Sequence, residues 1–304
     1  MRSNRVLANS RLNKPVKKKW ISQDAAWAFL LLIPLFIGIL LIYSSTIFGF
    51  VMSFTNWDIV RKAEWVGIEN YRTLAEDELV WKAMRNTLYF LIIAIPAKLI
   101  IGLALAVLLN QKLKGVNFFR LTYFFPTACS VVAIALVWGY LYGVDGFLNT
   151  LLQGLGLSKV YWMDEHNAMN SIAIMSLWGG VGYIALLFLA GLQNVPPEYY
   201  EASRVDGANR FQQFRMITLP LLTPTTFFIL ITQMITVFQM FGENYLMPGP
   251  LNSTLSIVQY IFTEAFQGFR MGYASALSYI LILIIFIITI VQFKLQKKWV
   301  NYDL

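Results

Sequence analysis

Two short stripes of polar, aromatic and small residues lie inside otherwise apolar segments of the sequence. Their members are Ser176, Gly180 and Tyr183 in the first stripe and Gln233, Met240 and Asn244 in the second. Within each stripe the spacing is that of residues on one face of a helix. Polar side chains inside a membrane are costly and mark ligand paths. They also form hydrogen bonds between neighbouring helices, and the spacing alone leaves both roles open.

The sequence offers little material for catalysis or for metal binding. Its one cysteine, Cys129, lies in an apolar run, where we expect a small packing residue. Its one histidine, His166, lies in a loop. A disulfide within the chain, a zinc site and the usual histidine-based triads are therefore excluded. The Gly-rich pattern with Lys and Ser or Thr that cradles phosphates does not occur either. We expect no catalytic residues and no metal ligands in this chain.

Lys98 lies midway along an apolar segment, too deep for its ammonium group to reach water easily. One interpretation is a proton or ion relay. No carboxylate is expected at equal depth, however, because Glu243 and Glu264 lie near the ends of their segments. We favour the second interpretation, in which Lys98 faces water or a neighbouring subunit and bonds to backbone carbonyls. The sequence assigns it no role in ligand chemistry.

The elements that position these residues are predicted to be membrane-spanning helices. Of the 304 residues 58% are hydrophobic and 13% are charged, whereas soluble domains carry about 25% charged residues. About 20 apolar residues cross a bilayer as a helix, and six segments are long enough: 25–52, 87–109, 120–143, 169–192, 220–245 and 273–295. The third and fifth are more polar, which indicates that they face protein or a cavity. The sequence predicts an all-α membrane protein with six transmembrane helices.

Basic residues are distributed unequally between the two sides of this predicted bundle. Sixteen of the 24 Lys and Arg residues lie in the N-terminal tail, in the loops after the second and fourth segments, and in the C-terminal tail, against seven in the other loops. The positive-inside rule places both termini in the cytoplasm. Because the charges sort by membrane side, the net charge of +8 does not indicate nucleic-acid binding.

These assignments divide the chain into three parts. Residues 1–24 form a basic cytoplasmic tail, residues 25–296 the six-span domain, and residues 297–304 a cytoplasmic C-terminal tail. Within the six-span domain, residues 193–220 form a cytoplasmic loop. The outer loops, at about 53–86, 144–168 and 246–272, carry most of the acidic residues and are expected to form short helices at the membrane surface.

The loop at residues 193–220 is polar although it lies between two apolar segments. "NVPPEYYEASRV" has Pro and Glu198 near its start, where both are favoured in a helix. Asp-Gly in "VDGAN" then indicates a turn, and "NRFQQFRMI" predicts a second short helix before Pro220. We expect two short helices around a turn, with Phe211 and Phe214 exposed. An ordinary amphipathic loop and a docking surface for a cytoplasmic partner both fit this pattern.

The same loop resembles a known family. Glu201-Ala202-Ser203, then Gly207, then Ile217-x-Leu219-Pro220 matches the "EAA" loop of permease subunits in binding-protein-dependent ABC importers. "KGVNFFRLTYFFPTACSVVAIALVWGYLYG" and "GYASALSY" resemble the branch that imports sugars, as in maltose, multiple-sugar and glycerol-3-phosphate systems. Two departures are a Ser at position 203 in place of the second Ala, and "MPGPLNST" where these permeases often have Gly-Gly-Pro. The resemblance implies the type I importer permease fold, also called MetI-like.

The resemblance also implies roles for individual residues. Glu201 would pair with a basic residue of an ATPase subunit, while Ala202 and Ser203 would allow close packing against it. Gly207 would permit the reversal between the two short helices, because it tolerates a positive φ. The contact surface beyond the turn would begin with Ala208, Asn209, Arg210 and Phe211.

A six-span permease of this family would conduct its substrate across the bacterial cytoplasmic membrane by alternating access. It would work with a second, homologous permease subunit, two ATPase subunits and an extracytoplasmic solute-binding protein. ATP and Mg²⁺ would bind to the ATPases, and this chain would bind no cofactor and no nucleic acid. The substrate would be a sugar, with an oligosaccharide as the favoured class. Among the residues of the two stripes, Tyr183 and Gln233 are then the first candidates for substrate contact and Ser176 the next, whereas Trp178 and Gln239 point elsewhere.

Three alternatives remain. The chain would be an ABC permease for another solute such as glycerol phosphate, an ion-coupled secondary transporter, or a structural or signalling membrane protein. A secondary transporter is expected to show repeats, interrupted helices and paired membrane carboxylates, none of which is evident in the sequence. Neither of the last two classes explains the spacing from Glu201 to Pro220.

Overall fold

A computed structural model describes residues 23–111 and 115–301, with side chains from Trp27 onward except that of Asn117. Three parts of the chain lie outside the described residues. They are residues 1–22 of the predicted tail at 1–24, which contain its basic residues, the segment with Lys112 and Lys114, and residues 302–304. Within the described ranges the helices are α1 (Gln23–Met52), α2 (Glu69–Glu76), α3 (Glu78–Leu109), α4 (Val116–Phe124), α5 (Val131–Leu141), α6 (Phe147–Gly154), α7 (Ala168–Gln193), α8 (Pro197–Val205), α9 (Arg210–Gln213), α10 (Leu219–Leu221), α11 (Thr223–Phe238), α12 (Gly242–Leu246), α13 (Ile257–Phe262) and α14 (Met271–Gln296).

The long helices agree with the predicted spans. In the described residues five helical stretches are long and apolar enough to cross a membrane, and a bent pair makes a sixth. The second span starts earlier than predicted, at Glu78 instead of residue 87, because Asp77 caps α3 by accepting a hydrogen bond from the Leu79 amide. The predicted short helices in the other loops are present as α2, α6 and α13.

The third predicted span is broken, so the expectation of one continuous helix over 120–143 was wrong. α4 continues into a 3-10 turn that contains Pro126, and the chain then bends by 100° before α5. Proline cannot donate a backbone hydrogen bond, and Ser130 starts the new helix by accepting one from the Val132 amide. The fifth span is also interrupted, between α11 and α12. Interrupted helices are therefore present. Their apparent absence from the sequence was one argument against a secondary transporter, and that argument no longer holds.

The structure divides into two compact units, one up to Phe48 and one from Gly49 onward. In the first unit, the apolar side chains of α1 from Trp27 to Phe48 are mostly exposed. Exposed apolar side chains along a whole helix are typical of a surface that faces lipid or another protein.

The centre of the second unit is the pair α3 and α7. Phe90 and Ala94 of α3 are buried with Ile172 and Met175 of α7. Nearer the other end of the same pair, Ala106 is buried with other α7 residues and with Leu222 and Ile229 from the start of the fifth span. The pair thus forms the frame on which the broken third and fifth spans rest.

Polar contacts fix one end of this frame. Thr87 of α3 accepts a hydrogen bond from the Ile257 amide at the start of α13, and Asp77 accepts bonds from Tyr260 of α13 and Tyr273 of α14. Residues 53–87 and 249–273 therefore lie at this end. The loop at 193–220 follows the other end of α7, so it lies at the opposite end of the bundle.

Candidate functional site

The described residues enclose a cavity of about 540 Å³ where the broken spans meet α3 and α7. Five of the six predicted stripe residues line it: Ser176, Gly180, Tyr183, Gln233 and Met240. Two stripes that are about 50 positions apart in the sequence thus face one volume. Its size lies in the range of cavities that hold small-molecule ligands, about 300–1,000 Å³.

Asn244, the sixth predicted residue, does not line the cavity. It is fully buried, and its side-chain amide donates a hydrogen bond to the Thr254 carbonyl. The stripe was extrapolated along one continuous helix, but α11 ends at Phe238 and the chain turns before α12. Asn244 therefore holds the segment at 247–254 in place, and the expectation that it contacts substrate is not supported by its position.

Lys98 lies in the cavity wall with only 6% of its surface exposed. Its ammonium group donates a hydrogen bond of 3.0 Å to the Ser176 hydroxyl, not to the backbone carbonyls that were expected. Gly180 lies beside it, since a Cβ at that position would lie 3.4 Å from Nζ. Glu243 lines the same cavity and attracts the ammonium electrostatically. Glu243 was expected near the outer face of the membrane, and its place in the same cavity lining as Lys98 was not predicted.

Five of the lining residues that were not predicted lie at or next to breaks in the helices. They are Thr127, Cys129, Gln239, Phe241 and Glu243. Gln239 was expected to point away, and it enters the lining because α11 ends one residue before it. Helical periodicity carries no information beyond the end of a helix. Trp178, as expected, lies outside the cavity and packs against Trp138 with ring centroids 5.9 Å apart.

The loop at 193–220, hereafter the coupling loop, contains the two predicted short helices, α8 and α9. Gly207 lies between them with a φ of +79°, so the prediction of a left-handed turn at this residue is confirmed. The Ala208 amide bonds to the Ser203 carbonyl and the Gly207 amide to the Arg204 carbonyl. This is the Schellman arrangement that ends a helix at a glycine.

The second helix of the coupling loop begins with a capping box. The Asn209 side chain accepts a bond from the Gln212 amide, and the Gln212 side chain accepts one from the Asn209 amide. Ser203 is joined to the second helix by a hydrogen bond of 2.9 Å from Gln213. Asn209 and Ser203 thus have structural contacts within the loop, in addition to any contact with a partner.

The surface of the coupling loop is largely exposed. Exposed candidates are Glu201, Ala202, Gly207, Asn209, Arg210 and Phe211, and half-buried ones are Ser203 and Ala208. Phe211 exposes 70% of its surface, whereas Phe214, also expected to be exposed, is partly buried. Val205, not singled out from the sequence, is 89% exposed. Exposed large apolar side chains among charges are typical of a protein-binding surface.

Comparison with known proteins agrees with these features. Residues 86–301 match the model of the family described as binding-protein-dependent transport system inner membrane component. The chain is 37% identical over 260 residues to the probable ABC transporter permease protein YesP of Bacillus subtilis (strain 168), covering 83% of this chain and 84% of that protein. It is 32% identical over 294 residues to the multiple sugar-binding transport system permease protein MsmF of Streptococcus mutans, covering 95% and 99%.

One further relative and one solved structure are also similar to this chain. The arabinooligosaccharides transport system permease protein AraP of Bacillus subtilis is 34% identical over 260 residues, covering 82% of each chain. A bacterial ABC transporter involved in the import of the acidic polysaccharide alginate has the same fold, with a TM-score of 0.79 at 22% identity over 91% of this chain and 97% of that one. The chain therefore belongs to the family of inner membrane components of binding-protein-dependent transport systems, and it is a membrane-spanning permease subunit and not an enzyme.

Proposed function

We propose that this permease carries a sugar, by preference an oligosaccharide, into the cytoplasm through the cavity described above, driven by separate ATPase subunits that dock on the coupling loop. The names of its relatives MsmF and AraP, which refer to transport of multiple sugars and of arabinooligosaccharides, support the choice of substrate class.

One observation carries the proposal. Two of the long helices that line the cavity, α7 and α11, are also the two that the coupling loop connects. A force applied to that loop would reach the cavity wall through rigid helices, without any need for a flexible link. The Tyr200 hydroxyl lies 3.0 Å from the Thr218 hydroxyl, and this contact joins α8 to the segment that leads into α11.

The contact surface for the ATPase would have two parts. Glu201, Ala202 and Ser203 would form the part on α8, with Glu201 paired to a basic residue of the ATPase. The part beyond Gly207 would consist of Ala208, Asn209, Arg210 and Phe211. Exposed aromatic and apolar residues such as Phe211 and Val205 would supply the apolar centre that anchors most protein interfaces.

The remaining assignments follow from the same arrangement. The coupling loop and both termini would lie in the cytoplasm, as the excess of basic residues on that side supports. A second permease subunit would cover the exposed apolar side chains of the broken third span, such as Leu136 and Tyr140. The solute-binding protein on which this family depends would deliver substrate at the opposite end, and ATP and Mg²⁺ would bind to the ATPases alone.

Replacement of Gly207 by Val tests the proposal. A Cβ at Gly207 would meet no atom within 4 Å, so the substitution acts only through its φ of +79° and would reorient α9 against α8. Gly156→Val is the matched control, because Gly156 has a φ of +76°, also has open space around it and lies outside the coupling loop.

Both variants would be co-expressed with the partner subunits, and two quantities would be measured: the amount of ATPase that co-purifies and the ATP-dependent uptake of a panel of sugars in proteoliposomes. We expect Gly207→Val to lose both, and Gly156→Val to keep both. Equal behaviour of the two variants, or uptake without ATP by the chain alone, would contradict the proposal.

A further inference from the structure

We infer that the cavity selects a sugar that carries one acidic group, such as the carboxylate of a uronic acid, and that Lys98 binds this group. The inference rests on the proposed sugar import and specifies its substrate class.

The first step is the unusual environment of the Lys98 ammonium group. It is more than nine-tenths buried, and a buried charge is unfavourable unless it is paired. Among the described residues no carboxylate lies within ion-pair distance of it, since the ion pairs of that part of the chain are four others, all formed without Lys98. Its hydrogen-bond partner among the described residues is the neutral Ser176 hydroxyl. An ammonium group has three donors, so two remain for a ligand.

The second step is the position of Lys98 relative to the proposed sugar contacts. Lys98 bonds to Ser176, which lies two turns of α7 before Tyr183, and Gly180 lies between these two residues. All four residues line the cavity. Ser176 and Gly180 add little bulk beside the ammonium group, and Lys98 itself lines the cavity. A sugar ring that contacts Tyr183 and Gln233 would therefore bring a ring substituent towards Lys98.

The third step is the charge of the ligand. Glu243 also lines the cavity and attracts Lys98 without forming an ion pair with it. A carboxylate on the ligand would form a charge-assisted hydrogen bond with Lys98, while Glu243 would accept bonds from sugar hydroxyls. Glu243 repels any anionic ligand, and it would repel a phosphate monoester, with about 1.5 to 2 negative charges at neutral pH, more strongly than a carboxylate with a single charge. The cavity is therefore suited to a group with a single negative charge.

The test uses the complete transporter in proteoliposomes, with galacturonosyl-galactose, a disaccharide with one carboxylate, as the acidic probe and digalactose as its neutral counterpart. Lys98→Met removes the charge and keeps the length of the side chain, Lys98→Arg keeps the charge, and Lys62→Met removes an exposed lysine outside the cavity. We expect Lys98→Met to lower uptake of the acidic sugar about tenfold or more, the effect of losing a hydrogen bond between charged groups. Uptake of the neutral sugar should change less than about twofold, because that sugar has no carboxylate and does not form this bond in the unmodified protein either.

Each outcome bears on one claim. Partial rescue by Lys98→Arg and no effect of Lys62→Met would support the inference. An equal fall for both sugars, or loss of complex assembly in Lys98→Met, would overturn it, because Lys98 would then pair with a neighbouring subunit or support the fold. Uptake of the neutral but not the acidic sugar by the unmodified protein would also overturn it and leave sugar import intact. Absence of ATP-dependent uptake across the whole sugar panel would contradict the proposed function itself.

Discussion

The Gln213 side chain donates a hydrogen bond of 2.9 Å to the Ser203 hydroxyl, and this bond joins the two short helices of the coupling loop across the Gly207 turn. Gln213 also donates to the Tyr200 carbonyl at 3.3 Å. If the loop transmits force as proposed, it needs such internal bonds, because otherwise its two helices would move separately and the movement would not reach α11.

The first prediction concerns this bond. Gln213→Ala removes both hydrogen bonds, and a typical hydrogen bond contributes about 0.5–1.5 kcal/mol. The loop should therefore loosen while the transporter still assembles. We expect the number of sugar molecules imported per ATP hydrolysed to fall, with the ATPase rate largely retained. Uptake and phosphate release measured on the same proteoliposomes give this ratio. Gln153→Ala, at an exposed position on α6, is the control, and an unchanged ratio in Gln213→Ala would show that the bond has no part in coupling.

The second prediction concerns the polar cluster at the other end of the bundle. The Tyr260 hydroxyl donates to the Asp77 carboxylate at 2.6 Å, and Tyr273 donates to the same oxygen. Burial of Tyr260 and its bond to Asp77 raise the pKa of that phenol, so it remains a donor. Tyr260→Phe should lower the free energy of unfolding by about 1.5–3 kcal/mol, the contribution of a hydrogen bond to a charged group. Thermal unfolding of the purified protein in detergent would show this as a lower Tm.

The third prediction is the pH dependence of the same cluster. Burial acts to raise the pKa of Asp77, but the hydrogen bonds from Tyr260, Tyr273 and the Leu79 and Val80 amides together outweigh it and hold the pKa below its ordinary value of 3.8. A carboxyl group whose pKa is lowered by folding stabilises the fold fully above its unfolded pKa, and this contribution is lost as the pH falls through the folded value. The Tm should therefore decrease when the pH is lowered below about 4, and Asp77→Asn should make this decrease smaller. Asp145→Asn, at an exposed carboxylate, should not, and an equal response of both variants would contradict the assignment.

The fourth prediction concerns the cavity. Tyr183→Leu and Gln233→Ala remove an aromatic face and an amide from its wall, and each should lower sugar uptake about tenfold, as expected for the loss of one or two hydrogen bonds or ring contacts. The effect should appear in the dependence of uptake on sugar concentration. Trp178→Leu, an aromatic replacement on the same helix but outside the cavity, should have little effect. If Trp178→Leu reduces uptake as much as Tyr183→Leu, the cavity is not the path.

Much of this arrangement could be predicted from the sequence. Hydropathy alone gave six spans, because a helix that crosses a membrane needs a long apolar run, and the Asp206-Gly207 pair indicated the turn of the coupling loop. The two stripes on α7 and α11 converge on one cavity, as helical spacing predicted for Tyr183 and Gln233.

What the sequence did not predict lies where helices break. The 100° bend after Pro126 brings Thr127 and Cys129 into the cavity wall, and the end of α11 redirects Gln239 and Glu243 towards it and Asn244 away from it. Hydropathy averaged over a span does not detect such breaks, since both halves of a broken helix are equally apolar. The presence of Lys98 and Glu243 in one cavity lining depends on these breaks and is visible only in the structure.

The most direct test of the central claim, that ATPase subunits act on this chain through its coupling loop, is photo-crosslinking in the assembled transporter. A photoreactive amino acid would replace Val205, which is 89% exposed on the coupling loop, and in a separate variant Val60, which is 84% exposed in the loop at the opposite end. Mass spectrometry would identify the crosslinked partner. We predict that position 205 crosslinks to a nucleotide-binding ATPase subunit and that position 60 does not. Crosslinking of the ATPase at position 60, or its absence at position 205 in an active complex, would contradict the account.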